Sequence, residues 1–392
     1  MIHSLTFSNI GSFANETTLD FTWNKKDSID DTIATDLPSG VNVSKIMTII
    51  WPNASGKSNI LRVLGFLKFW ITEAGTRLTP EIPVTHQGIQ HRMLPFLYTS
   101  DKESVIECIF ETKKTQYGIH LTIKWGFATE ETLSIRSKTD QRTTWKILFD
   151  RNNLGWNEIP LLRKNASIVF LKQILNDNDS KDIVEYWSSV FLKIPALSML
   201  EEQSFDFNRW NALSYYLRNK DSRDFLNELL RKYDTWFSEL DFKEIENTDG
   251  TKWFEVMGKI QRNGKPEDMP FYSDWTLKII DYAYLIEWAI KKGWVLIFDE
   301  IDASFHPEIV DAILDRFLSK FYNKENAQII ITTHNPRILN ILNRYQIQLV
   351  EKNKNGESET YRLDDVAGVR TSDNYYAKYM AWVYGAIPNI IR

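Results

Sequence analysis

The sequence holds a single cysteine, Cys108, in 392 residues. No intrachain disulfide and no cysteine-based metal cluster can be built from it. A reducing, cytoplasmic setting is the simplest reading. An excess of positive charge is missing too: 47 Lys and Arg face 52 Asp and Glu, a formal net charge of −5. That excludes a general basic field for nucleic acid and leaves room only for a local patch. Long hydrophobic runs are absent. The most apolar stretch, 279–290, carries Asp281 and Glu287 and is too short and too charged to span a bilayer. The first seven residues lack a charged segment followed by an apolar one, so no signal peptide is expected. Glycine is also short, at 16 residues against an average usage of about 7%, whereas tryptophan reaches 14.

What is present is ordinary for a globular chain: 43% hydrophobic and 25% charged residues, enough for a sizeable core. The length predicts two or three domains, or one domain with a large insertion. Residues 2–7 and 17–22 alternate as strands do, and 45–50 is a buried apolar run. A helical pattern follows from Lys57 to about Ile71. Residues 105–111, 117–125, 131–135 and 144–149 predict a small antiparallel sheet. Residues 166–240 read as mainly helical. The last third alternates: helix 277–291, strand 295–298, helix from Pro307 to about Phe321, strand 327–332, and a helix beginning at Asn335. Such alternation argues for a parallel sheet covered on both faces. The expected organisation is an N-terminal lobe 1–150, a mainly helical insertion 151–250 and a C-terminal lobe 251–392.

Three segments carry chemistry. Trp51-Pro52-Asn53-Ala54-Ser55-Gly56-Lys57-Ser58 fits a phosphate-binding loop between strand and helix, except that Trp51 stands where the first glycine belongs. Backbone N–H groups at a helix N-terminus face an anion, and the helix dipole favours it. Lys57 would reach the β- and γ-phosphates and Ser58 would ligate Mg²⁺. The alternative is a chance helix start with Ser55 as N-cap. Val295-Leu296-Ile297-Phe298-Asp299-Glu300 is an apolar strand ending in two carboxylates, where α/β sheets bind ligands. Asp299 suits the Mg²⁺ shell, and Glu300 suits activation of an attacking water. After the strand 329–332, His334 would sit on the same sheet edge near a γ-phosphate.

Gly56-Lys57-Ser58-Asn59, Asp299-Glu300-Ile301-Asp302 with His306-Pro307, and Thr332-Thr333-His334-Asn335 together resemble the ABC-type ATPase heads of the SMC/RecF-like class. More closely they resemble the small prokaryotic ATPases of the AAA15 family. Ser8 to Phe13 looks like that family's opening, and Tyr384-Gly385-Ala386-Ile387-Pro388 resembles its C-terminal signature. The resemblance implies an α/β P-loop NTPase of ABC-ATPase type with an antiparallel β subdomain and a helical insertion. It implies ATP and Mg²⁺ as cofactors. The nucleotide-binding set would be Asn53, Ala54, Ser55, Gly56, Lys57, Ser58 and Asn59. Ser273 would act in trans from a second copy. Ser58 and Asp299 would hold the metal, Glu300 and Lys57 would be catalytic, and His334 would be the switch histidine. Asp302 and Ser304 would lie in the loop that crosses the dimer interface. Gln87 and Gln90 are the nearest matches to a metal-coordinating glutamine.

Four tryptophans, Trp51, Trp236, Trp275 and Trp382, fall where the family carries glycine. Glycine serves where φ is positive or a backbone approaches closely, and an indole cannot replace it at a phosphate-covering turn. Two readings stand side by side. One is a degenerate ATPase. The other is a gene that reads UGA as glycine, so that all four positions are glycine in the native polypeptide. A UGG codon at any of them removes the second reading there.

The function that follows is an ATPase head, dimerising head-to-tail around two ATP and signalling its nucleotide state to a partner. AAA15-like proteins often act in anti-phage defence beside a nuclease or toxin. The alternatives are a DNA-repair ATPase, with basic clusters at 136–142, 163–164 and 218–223 on duplex DNA, or a non-hydrolysing scaffold.

Overall fold

The computed structural model describes residues 1–23, 34–37, 39–50, 55–74, 101–125, 127–136, 144–153, 166–193, 209–233, 237–247, 250, 252–260, 266–268 and 274–385. The elements in chain order are β1 (Ile2–Ser8), β2 (Thr17–Asp20), β3 (Ala34–Asp36), β4 (Asn42–Ser44), β5 (Ile46–Ile50), α1 (Lys57–Thr72), β6 (Ser104–Glu111), β7 (Gln116–Lys124), β8 (Phe127–Arg136) and β9 (Lys146–Asp150). Then come α2 (Ile168–Ile174), α3 (Asn178–Ser188), β10 (Val190–Lys193), α4 (Arg209–Arg218), α5 (Lys220–Tyr233), β11 (Phe237–Glu246), β12 (Lys252–Ile260), β13 (Pro266–Asp268) and α6 (Asp274–Lys292). The chain continues through β14 (Val295–Phe298), α7 (Ile301–Ser304), α8 (Pro307–Leu318), β15 (Gln328–Thr333), β16 (Ile347–Lys352), β17 (Ser358–Arg362) and α9 (Tyr375–Met380).

Two compact units divide the chain: Met1–Leu200 with Trp294–Glu300 and Gln328–Arg392, and Glu201–Gly293 with Ile301–Ala327. They do not coincide with the segments 1–150, 151–250 and 251–392. The reason is topological. After residue 293 the chain re-enters the first unit twice, as β14 and again from β15, because both strands pair into its parallel sheet.

The first unit carries two six-stranded sheets. One is antiparallel, in the order β2-β1-β6-β7-β8-β9. The other runs β10-β14-β15-β5-β16-β17, parallel throughout except for the last pair. Its central strands β5, β14 and β15 are rich in apolar residues because both faces are covered; all three are buried at every residue. Helix α1 is buried along most of its length, from Ile60 to Ile71, in one core with side chains of both sheets, among them Leu5, Phe7, Ile106, Met47, Ile49 and Ile330. Gln328, at the start of β15, ties the sheets together. Its Nε2 donates to the carbonyls of Ile2 and Ser44, both at 3.1 Å, and its Oε1 accepts from the Ile2 amide at 2.9 Å.

The second unit holds α4 to α8 and the three-stranded sheet β11-β12-β13. Here Tyr216 inserts its hydroxyl into α6, accepting from the Tyr284 amide and donating to the Ile280 carbonyl, each at 2.7 Å. Arg316 pairs with Glu287 at 2.8 Å and lies between the rings of Phe225 and Tyr322.

Two sequence expectations change. Residues 166–240 include strands as well as helices. Val190-Phe191-Leu192 forms β10 beside β14, a short apolar run whose periodicity does not separate strand from helix. The segment from Asn335 is a short 3₁₀ turn, Pro336–Asn340.

Two tryptophans occupy backbone that favours glycine. Helix α9 ends in a Schellman motif: Val383 N–H donates to the Lys378 carbonyl and Trp382 N–H to the Tyr379 carbonyl, each at 3.0 Å. Trp382 takes the left-handed position of that motif, with φ 68° and a side chain 64% exposed. Lys124 pairs with Phe127, so β7 and β8 reverse within two residues, and Trp125 there has φ 50° and is 71% exposed. Trp382 belongs to the four that the sequence places at glycine positions; Trp125 does not. By contrast, Trp70 and Trp187 are fully buried and fill the core. Trp51 and Trp236 lie outside the described residues. Trp275 lies in the first turn of α6.

Candidate functional site

The strand order places β15 between β14 and β5. All three run parallel, so their carboxyl ends share one edge, where open α/β sheets present ligand-binding groups. From β5 the chain reaches α1 through the loop that ends in Ser55 and Gly56. β14 delivers Asp299 and Glu300, and β15 delivers Thr332, Thr333 and His334.

Gly56 is the N-cap of α1 and has φ 108°, backbone that a side chain would strain. A Cβ there would also collide with the hydroxyls of Ser12 and Ser358. No side chain caps this helix and its first turn holds no acidic residue, so its N-terminal amides are not spent on a local carboxylate. Ser55 is therefore not the N-cap. Its Oγ is buried and has no hydrogen-bond partner among the described residues, an orphan that a phosphate oxygen would satisfy. The loop is braced from outside: Ser358 Oγ donates its one proton to the Ser55 carbonyl and accepts from Ser12 Oγ at 2.7 Å, while Ser12 Oγ in turn accepts from Asn59 Nδ2 at 3.0 Å.

The ionic centre is compact. Lys57 Nζ donates to Glu300 Oε1 and meets Nε2 of His334. His334 Nε2 lies 3.4 Å from the same Glu300 oxygen. The hydrogen bond from Lys57 holds the Glu300 carboxyl below its ordinary range; burial opposes this, and the Lys57 charge and His334 add to the lowering. Glu300 is thus ionised and, at 37% side-chain exposure, open to water. Its own φ is 52°, in the left-handed region. Ser58 Oγ lies 3.0 Å from Asp299 Oδ2. A hydroxyl and a carboxylate oxygen at the sheet edge form a hard-oxygen donor pair of the kind Mg²⁺ takes, so the residues present fit the metal.

The structure therefore brings together Ser55, Gly56, Lys57, Ser58, Asp299, Glu300 and His334, and sets Asn59 beside them through Ser12. Asn53, Ala54, Ser273, Gln87 and Gln90 lie outside the described residues. Asp302 and Ser304 lie in α7, within the other unit, and His306 caps α8 by accepting from the Glu308 amide at 3.4 Å. Sequence reading gave no role to Ser12, Ser358 or Thr332. The motif segments contain Ser12 and Thr332, but nothing in the sequence marks Ser358, which stands 303 residues from Ser55.

The model of one protein family matches residues 46–340, well over half of the chain; its description is "AAA domain, putative AbiEii toxin, Type IV TA system". The chain belongs to this AAA-domain family. The match spans the phosphate loop, both carboxylates and His334, and the fold is that of an α/β P-loop ATPase with an added antiparallel sheet. Among solved structures, the chain is similar to an SMC head bound to the C-terminal winged-helix domain of ScpA, at 12% identity, covering 94% of this chain and 99% of that one, TM-score 0.47. It is also similar to the SMC head domain from Thermotoga maritima, at 14% identity, 92% and 98% coverage and TM-score 0.43. A third likeness is to an SMC head with an extended coiled coil bound to the C-terminal domain of ScpA derived from Pyrococcus furiosus, at 12% identity, 93% and 97% coverage and TM-score 0.43. No curated protein matches the chain.

Proposed function

We propose that this member of the AAA-domain family binds and hydrolyses ATP, and that it reports its nucleotide state to a protein partner. One observation carries the reading: Lys57, Ser58, Asp299, Glu300 and His334 converge from three adjacent parallel strands. In this reading the amides of α1, Ser55 Oγ and Lys57 Nζ bind the phosphates. Ser58 and Asp299 hold Mg²⁺, which supplies neutralisation of phosphate charge. Glu300, held ionised, orients a water and accepts its proton as that water attacks the γ-phosphorus in line. His334, beside Glu300, reads the γ-phosphate end. Lys57 holds Glu300 and His334 in register until phosphate oxygens compete for its ammonium.

The sandwich of two ATP between two copies, with Ser273 acting in trans, belongs to the same proposal, as do the AAA15 assignment and a cytoplasmic setting. So do the segments 1–150, 151–250 and 251–392 as functional divisions. The matched family's description names a putative toxin of a type IV TA system. That supports a defence role with a nuclease or toxin as partner. Duplex DNA is less favoured, because a formal net charge of −5 offers no general basic field. No described helix is long and apolar enough to cross a membrane.

The test is phosphate release by the purified chain together with nucleotide-dependent sizing. Hydrolysis by the wild type, and its loss in Glu300→Gln with an ATP-trapped dimer, are the expected results. A wild type that binds no ATP overturns the proposal. If the tryptophans at 51 and 275 are the translated residues, Trp51→Gly with Trp275→Gly raises the rate.

A further inference from the structure

Thr332 is fully buried near the end of β15, after Ile329, Ile330 and Ile331. A strand covered on both faces calls for another apolar residue here, and a buried hydroxyl is tolerated only when its hydrogen bonds are made. Both are made, to the two carboxylate residues of the site. Thr332 Oγ1 donates its one proton to Asp299 Oδ1 at 2.6 Å and accepts the Glu300 amide at 2.6 Å. Register explains the reach: Phe298 pairs with Ile331, so Thr332 stands level with Asp299 on the neighbouring strand.

The two bonds have different consequences. With Oδ1 taken by Thr332 and Oδ2 facing Ser58, the Asp299 carboxylate is fixed in rotation. The bond to the Glu300 amide pins the one described site residue whose backbone is left-handed without being glycine, a conformation that persists only when neighbours enforce it. Glu300 leaves the strand at that angle, and its carboxylate thereby reaches Lys57 and His334.

We propose that Thr332 is a positioning residue that sets the aim of both carboxylates, Asp299 through its side chain and Glu300 through its backbone. The proposal rests on the ATPase reading. Thr332 acts through Asp299 and Glu300, to which both of its hydrogen bonds run.

The experiment compares wild type, Thr332→Val and Thr332→Ser in ATP turnover. Valine keeps shape and strand propensity but offers neither bond, whereas serine keeps the hydroxyl. The expected result is a fall in kcat of roughly 10- to 100-fold for Thr332→Val, the scale of losing hydrogen bonds to a charged group. The KM for ATP in Mg²⁺ rises by less than kcat falls, and Thr332→Ser returns kcat to within about threefold of wild type. Retained binding of a non-hydrolysable ATP analogue shows that each variant is folded. Wild-type kcat in Thr332→Val overturns the proposal, and so does a Thr332→Ser no faster than Thr332→Val. A wild type without hydrolysis overturns the ATPase reading itself, and the positioning role with it.

Discussion

Ser58 Oγ and Asp299 Oδ2 lie 3.0 Å apart across 241 residues of chain. This contact joins the start of α1 to the end of β14. Removing either group should therefore damage the metal-dependent part of ATP binding and leave the metal-free part largely intact. Ser58→Ala and Asp299→Asn should each weaken ATP affinity in Mg²⁺ by about 10- to 100-fold. Titration calorimetry with and without Mg²⁺ checks this. Equal losses in both conditions count against a metal role.

The left-handed turns at Trp125 and Trp382 store strain that glycine would release. Each substitution, Trp125→Gly or Trp382→Gly, should raise stability by about 1 kcal/mol, because a left-handed non-glycine residue costs roughly 1–2 kcal/mol and glycine gives back part of that as unfolded-state entropy. For a chain of 392 residues the thermal midpoint should rise by only about 1 °C. Calorimetry reads it. A lower midpoint would show that the exposed indoles hold contacts worth more than the strain.

Acid should loosen the first unit through His3 and Glu111, whose side chains meet at 3.2 Å in the core. Burial lowers the His3 pKa from its ordinary 6.5, so the fold prefers the neutral ring. Burial alone would raise that of Glu111, yet bonds to His3 and Ser39 win and lower it. Both groups then take up protons more readily when unfolded. Stability is present above about pH 6.5, falls as unfolded histidine protonates, and falls again below the unfolded carboxylate value of about 4.3. Denaturant unfolding between pH 7 and pH 4 should show this loss, and His3→Gln should flatten its upper limb.

Glu131 is fully buried and gathers four donors: Arg151 at 2.6 Å, Trp70 Nε1 at 3.2 Å, Ser167 Oγ at 3.0 Å and the Ile168 amide at 3.1 Å. It joins β8, α1 and the start of α2. Glu131→Ala leaves a buried guanidinium uncompensated and should cost about 3–5 kcal/mol. Urea unfolding measures it. A loss under about 1 kcal/mol would mean that Arg151 finds water.

The site was legible where chemistry and chain order coincide. The turn into α1 and the acidic end of β14 announce themselves because Lys57-Ser58 and Asp299-Glu300 follow apolar strands. Thr332 sat inside a quoted motif, yet its partners depend on strand register, which sequence does not display. Ser358 braces the phosphate loop from the start of β17, and a lone serine carries no such signal. The strands β11 and β12 alternate well enough to be seen, but the helical pattern around them masked the change of period. Trp125 went unseen because Trp-Gly is not a turn dipeptide by composition; only its φ reveals the constraint.

Strand β15 makes opposite ends of one rigid segment answer to different masters. Gln328 grips β1 of the antiparallel sheet, and four to six residues on, roughly 13–20 Å away at strand rise, Thr332 and His334 meet the ion cluster. A fully hydrogen-bonded strand stretches little, so any lengthwise slip at one end arrives at the other. If the site turns over ATP as proposed, a protein seated on the antiparallel sheet would sense it through this strand without approaching the nucleotide.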